Sequence, residues 1–157
     1  MIAINDYRQF IAELIAAAAA KCEEDTVPTI RLAVTEEQLV NRLKDMKGIV
    51  VAGNIPCSDI HNNGYTWSDG ECLLAVLEKW PADKQGSDWE YQEFARIQQL
   101  MAAIVRLLTG EDFQEFCDKG EIDFSRGLTI EWEYNAYGGF NGMSVAFRLK
   151  DKNGTGI

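Results

Sequence analysis

Apolar residues recur along this chain with two different periods, and the switches between them mark out the elements. Residues 71–80 read Glu-Cys-Leu-Leu-Ala-Val-Leu-Glu-Lys-Trp, a nearly unbroken apolar run that stops at Pro81. Apolar side chains fall on both parities, so the run predicts a central strand covered on both faces. After a polar linker, Phe94, Ile97, Met101, Ile104, Val105 and Leu108 return at helical steps. That spacing places them on one side of a long helix over 88–109. Ser87 is positioned to cap its start, and Gly110 to close it in a left-handed conformation. Tyr7, Phe10, Ile11, Leu14, Ile15 and Ala18 trace a similar stripe on a first helix, capped by Asn5 or Asp6 and ending near Cys22.

Between these helices the period changes. Ile30, Leu32 and Val34 alternate with Arg31 and Ala33, as in a half-buried strand entered from Pro28. Thr35-Glu36-Glu37-Gln38 forms a capping box, with the Thr35 hydroxyl on the Gln38 amide and the Gln38 side chain returning to the Thr35 amide. Leu39, Val40, Leu43 and Met46 give that short helix its buried side, Gly48 ends it, and a second strand follows over 49–52. Residues 53–69 are rich in Asn, Gly, Ser, Asp and Pro, which predicts a long loop or a loosely paired excursion of the sheet. A short helix is expected over 111–119, stopped by Gly120.

Leu128, Ile130, Trp132 and Tyr134 then alternate with polar residues, and so do Met143, Val145, Phe147 and Leu149. The glycine-rich connection over 137–142 accepts positive φ, so the two runs make a β-hairpin with one apolar and one charged side. Acidic residues of its first arm are expected to pair with basic residues of its second. Residues 152–157 read as a frayed tail. The whole order predicts one α+β domain over residues 1–157. Its sheet is expected to be mixed or mainly antiparallel, with about five strands and the helices mainly on one face.

Composition narrows the picture. At 157 residues and 46% apolar, the chain can bury a real core. No apolar run approaches the ~20 residues of a membrane-spanning helix. The alanine-rich run 15–20 lacks a basic leader, so no signal peptide is expected and a cytoplasmic location follows. A net charge of -10 argues against sequence-specific nucleic acid binding, which needs a grip on phosphates. Cys22, Cys57, Cys72 and Cys117 are widely spaced and predict buried thiols rather than a disulfide framework.

Candidate chemistry is sparse. The single histidine, His61, lies near Cys57, Asp59, Asp69 and Cys72 in sequence, which suggests a zinc site or a Cys57–His61 nucleophile and base. Structural zinc sites use closely paired ligands, and these cysteines are far apart, so an ordinary polar loop is the better reading. Without a nucleophile elbow or an oxyanion signature, no catalytic residue, metal, cofactor or small-molecule substrate is expected. Gly138, Gly139 and Gly142 are followed by no helix, so they belong to a hairpin turn rather than a phosphate loop. Glu131 and Glu133, a spacing glycosidases also use, read as a solvated strand face. The aromatic residues are more informative: Tyr65, Trp67, Trp80, Trp89 and Tyr91 surround the two loops at the ends of the central strand, and Tyr137 and Phe140 sit in the hairpin turn. Large aromatic surface of this kind favours contact with a protein partner.

The order helix, strand, long helix and terminal hairpin resembles the tail terminator, or tail-completion, proteins of long-tailed phages and prophages. The resemblance rests on the 73–80 strand leading through a polar linker into the long helix. It rests also on the final strand Gly142-Met143-Ser144-Val145-Ala146-Phe147-Arg148-Leu149. The helix between the first two strands and the 53–69 segment depart from that pattern. The resemblance implies a non-enzymatic structural protein: a hexameric homo-oligomeric ring at the head–tail junction that meets other phage tail proteins and lets DNA pass. The hairpin edge and the 53–69 segment would carry the ring contacts. The contrasting expectation is a small cytosolic binding domain using loops 53–69 and 81–87 for a peptide or small ligand. A Cys/His-dependent hydrolase is the third.

Overall fold

A computed structural model describes residues 2–22, 24, 26–62, 66–110 and 120–151, with the side chains of Thr66 and Trp67 outside that description. The short helix expected over 111–119 and the tail 152–157 therefore lie outside the described residues. In chain order the elements are α1 (Ile4–Lys21), β1 (Thr29–Ala33), α2 (Glu36–Leu43), β2 (Val50–Asn54), β3 (Asp59–Asn62) and β4 (Thr66–Lys79). A turn of 3₁₀ helix (Ala82–Lys84) leads to α3 (Asp88–Thr109), followed by β5 (Gly120–Asp123), β6 (Thr129–Ala136) and β7 (Phe140–Asp151).

The architecture is α+β with one mixed sheet. Among the described residues it has seven strands rather than about five. The difference arises because β4 and β7, the two long central strands, each have an edge shared by two short strands. β2 pairs with residues 74–77 of β4, and β3 continues along the same edge at 66–69. On the far side, β6 pairs with β7 up to Ala146, and β5 takes over from Arg148. Among the described residues only β1 and β2 run parallel, joined across α2; the other pairings are antiparallel. The polar 53–69 segment thus becomes a paired excursion, because β4 extends beyond β2 and leaves backbone groups that β3 satisfies.

The apolar residues of both parities in β4 do find cover on both sides. Cys72, Leu74, Val76 and Trp80, with Met143, Val145, Phe147 and Leu149 of β7, pack against the apolar stripes of α1 and α3. Ala75, Leu77 and Phe140 face the other way, toward Leu39 and Leu43 of α2. The first cluster is much the larger, since two long helices supply it and one short helix supplies the second.

The helix ends differ in detail from expectation. α1 begins one residue before Asn5, with Ala3 as a cap that offers no side-chain acceptor. In α2 the Thr35 hydroxyl does accept from the Gln38 amide at 3.2 Å, but the Gln38 side chain reaches Val34 N at 2.9 Å instead of Thr35 N. Gly110 closes α3 at φ −83°, an extended conformation rather than a left-handed one. Ser87 turns its hydroxyl away from α3 to donate to the Lys84 carbonyl at 2.6 Å. No helix among the described residues is long and apolar enough to cross a membrane.

Candidate functional site

Near one end of the sheet, β3, β4 and β7 gather Asp59, His61, Asp69, Glu71 and Arg148. The strand register explains why: Asp59 lies opposite Asp69, and Glu71 opposite Arg148. Arg148 Nε donates to Asp69 Oδ2 at 3.2 Å, and Arg148 Nη2 lies 3.2 Å from Asp69 Oδ1 and 3.3 Å from Asp59 Oδ2. Its Nη1 approaches Glu71 Oε2 at 3.6 Å. His61 Nε2 meets Asp69 Oδ1 at 3.2 Å. Burial alone would raise the Asp69 carboxyl, yet the hydrogen bonds from Arg148 and His61 outweigh it and hold it below the ordinary value. The same contact with Asp69 raises the Arg148 guanidinium.

Of the residues once suggested for chemistry, His61 and Asp69 are therefore joined directly, and Asp59 only through Arg148. Cys57 is exposed and takes part in none of these hydrogen bonds. Cys72 points to the opposite face, beneath α1, where burial pushes its thiol up to about 12 and keeps it protonated near neutral pH. Among the described residues no three His, Cys, Asp or Glu side chains are grouped to hold a metal ion. The cluster has the physical character of a clamp that fastens the β3–β4 hairpin to β7. Its centre, Arg148, was expected to pair with the acids of the first hairpin arm. The register prevents that, because β6 ends opposite Ala146 and leaves Arg148 beyond it.

The structure also redistributes the seven aromatic residues singled out for an interface. Trp80 is only 4% exposed and Phe140 only 1%, so both belong to the interior and offer a partner nothing. Trp80 shares the parity of Leu74 and Val76 and so lies under α3, with ring centroids 5.8 Å from Trp89 and 4.7 Å from Phe94. Phe140 lies on the opposite parity, among Leu39, Leu43 and Leu77. Trp89 and Tyr137 are half-buried against the two cores. Tyr137 holds a left-handed φ of 50°, an uncommon conformation for a bulky residue. Tyr65 and the Trp67 side chain lie outside the described residues.

Tyr91, on α3, is 76% exposed, and a longer run of exposed apolar residues lies on β6. Ile130, Trp132 and Tyr134 are 45%, 52% and 61% exposed. They share the side of the sheet that carries α3, but β6 is an outer strand and α3 reaches it only partly. Trp132 touches the helix through Phe94, edge to face at 4.9 Å. A cleft of about 280 Å³ remains between α3 and this strand, lined by Met101, Val105, Ile130 and Met143 among others. On the other side of β6, Glu131 is exposed and Glu133 accepts from the Ser144 hydroxyl at 2.6 Å. Alternation in 128–134 had shown these apolar residues, but an alternating strand reads alike whether its apolar side is covered or bare.

A scan against protein-family models finds no match to this chain. A search of curated proteins finds none either.

Proposed function

We propose that the chain is a non-enzymatic structural protein that assembles with further copies of itself, as its resemblance to phage tail terminators implies. The observation that carries this reading is the β6 edge. Ile130, Trp132 and Tyr134 stand side by side on an outer strand, about half exposed, with an apolar cleft behind them. A bare edge strand with large apolar side chains is a site of strand or surface pairing unless another chain covers it. In the setting the resemblance implies, copies form a ring on the tail tube at the head–tail junction and meet the neighbouring tail proteins. An acidic lumen would repel phosphate and let DNA slide, which the net charge of -10 suits.

Light scattering coupled to size exclusion tests the reading. The expected result is a mass that grows with protein concentration toward a closed multiple of the monomer. Replacing Trp132 by Lys should return the protein to monomer while leaving its far-ultraviolet circular dichroism unchanged. A chain that remains monomeric at every concentration and ionic strength would reject self-assembly.

A further inference from the structure

The sheet margin formed by β1, away from β6, has a chemistry unlike the rest of this acidic chain. A groove of about 730 Å³ runs there between α1 and β1, and Arg8, Arg31 and Arg42 all line it. Its described lining residues include no acidic side chain, although the chain has 25 acids against 15 lysines and arginines. None of the three guanidiniums makes an ion pair with a described residue, whereas Arg96 and Arg148 each make several. Ile30, Leu32 and Ile55, which belong to or pack against the larger core, give the groove an apolar floor. Arg31 Nη1 donates to the Ile30 carbonyl at 3.0 Å, and Arg42, reaching across from α2, donates to the Leu32 carbonyl. These bonds hold two of the guanidiniums in place. Each has more N–H donors than one carbonyl uses, so the remainder can meet a ligand.

Three like charges around one cavity repel one another, and Arg31 is half-buried, where water screens it less. A bound anion removes that repulsion. The groove has the size of small-molecule sites, about 300–1,000 Å³, which combine apolar lining with a few polar groups that fix orientation. An inorganic ion alone would leave the apolar floor bare. An extended peptide is disfavoured, because the arginines occupy the β1 carbonyls that an added strand would need. A broad acidic surface, protein or membrane, would also meet the repulsion of a net charge of -10, far more than one small anion does. We propose that the groove binds a small organic anion, a carboxylate or phosphate monoester with an apolar body. Arg8, Arg31 and Arg42 hold the charged head, and the body rests on Ile30, Leu32 and Ile55. This site goes beyond the self-assembly reading and does not depend on it.

Isothermal titration calorimetry of the full chain with octyl phosphate, octanoate, octanol and inorganic phosphate tests this, each amphiphile kept below its micelle-forming concentration. At least one of octyl phosphate and octanoate should bind once per chain, and the tighter of the two identifies the head group. It should bind at least about tenfold more tightly than octanol, which lacks the charge, or inorganic phosphate, which lacks the apolar body. Arg8→Gln/Arg31→Gln should weaken that binding at least about tenfold, as charge-assisted hydrogen bonds are lost. Arg8→Gln alone, which removes no hydrogen bond to a described residue, should give a smaller loss. Without ligand, the double variant should melt no lower than the parent, because repulsion has been removed. Trp132→Lys, at the other apolar cleft, should bind as the parent does. No binding of either anion, or octanol binding as tightly as both, overturns the proposal. So does inorganic phosphate binding as tightly as octyl phosphate, or a glutamate-rich peptide binding more tightly than either anion through Arg8. A double variant that melts lower yet binds as the parent does would make the arginines structural and overturn it too. Each of these failures leaves self-assembly standing, and a strictly monomeric chain that binds octyl phosphate rejects self-assembly alone.

Discussion

The two faces of the sheet are stabilised by different physics. On one, α1 and α3 close over a continuous apolar layer in which Phe10, Leu14, Leu100 and Ile104 are fully enclosed. On the other, α2 covers only the part around Val50, Ala52, Leu77 and Phe140, and the region toward β3 is held by the Arg148 cluster. The acids at the margins of these faces respond in opposite ways. Glu78, next to Glu93 and 3.9 Å from Arg96, has its carboxyl raised to about 7 by burial first and by the Glu93 carboxylate second. Asp69 on the other face is lowered, because Arg148 and His61 favour its charge. The covered face thus tolerates a neutral acid, and the partly open face requires an ionised one.

The largest expected effect comes from cutting into the covered face. Leu100→Ala should lower the unfolding free energy by about 3–5 kcal/mol, because the cavity it leaves is enclosed by two helices. Leu39→Ala, which opens the thinner layer under α2, should cost about 2 kcal/mol, nearer the lower end for such changes. Urea denaturation of both variants checks the ranking, and equal losses would mean that the two layers work as one core.

Next in size is the clamp. Arg148→Met leaves Asp69 charged and mostly enclosed, and should cost about 2–3 kcal/mol near neutral pH. Adding Asp69→Asn should recover part of that loss, because the stranded charge is then gone. The contribution of Asp69 is present above its ordinary value of 3.8 and fades as pH falls through the lowered folded value. The parent should therefore lose stability in that acid range more steeply than Arg148→Met does.

Glu78 gives the smaller, opposite slope. Between its ordinary 4.5 and about 7, the folded chain retains a proton that the unfolded chain has released, so stability falls as pH rises through that window. A decline of about 1–2 kcal/mol is expected. Glu93→Gln should flatten it by removing the repelling charge, which melting temperatures across the range would reveal. Smallest of all is Trp132→Lys. The loss of its edge-to-face contact with Phe94 should cost the isolated subunit about 1 kcal/mol or less, even while assembly collapses.

Much of this fold was legible as period. The stripes of α1 and α3, the double-sided run of β4 and the β6–β7 hairpin all follow from spacing. The burial of Trp80 was legible too, since it continues the parity of Leu74 and Val76. Phe140 was harder, because its parity is otherwise occupied by Ser144 and Arg148, and only the position of α2 over Leu77 makes that side apolar locally. β3 could not be read from its own residues: Asp-Ile-His-Asn becomes a strand because β4 is longer than β2.

The β4–β7 ladder joins residue 69 to residue 150 and residue 79 to residue 140, with α3, β5 and β6 enclosed in the intervening chain. A ribosome must release nearly all of this sequence before the two central strands can meet. Early in synthesis α1 and the β1–α2–β2 unit have no middle of the sheet to dock on. Folding should accordingly be a late, slow and all-or-nothing event governed by closure of that long loop.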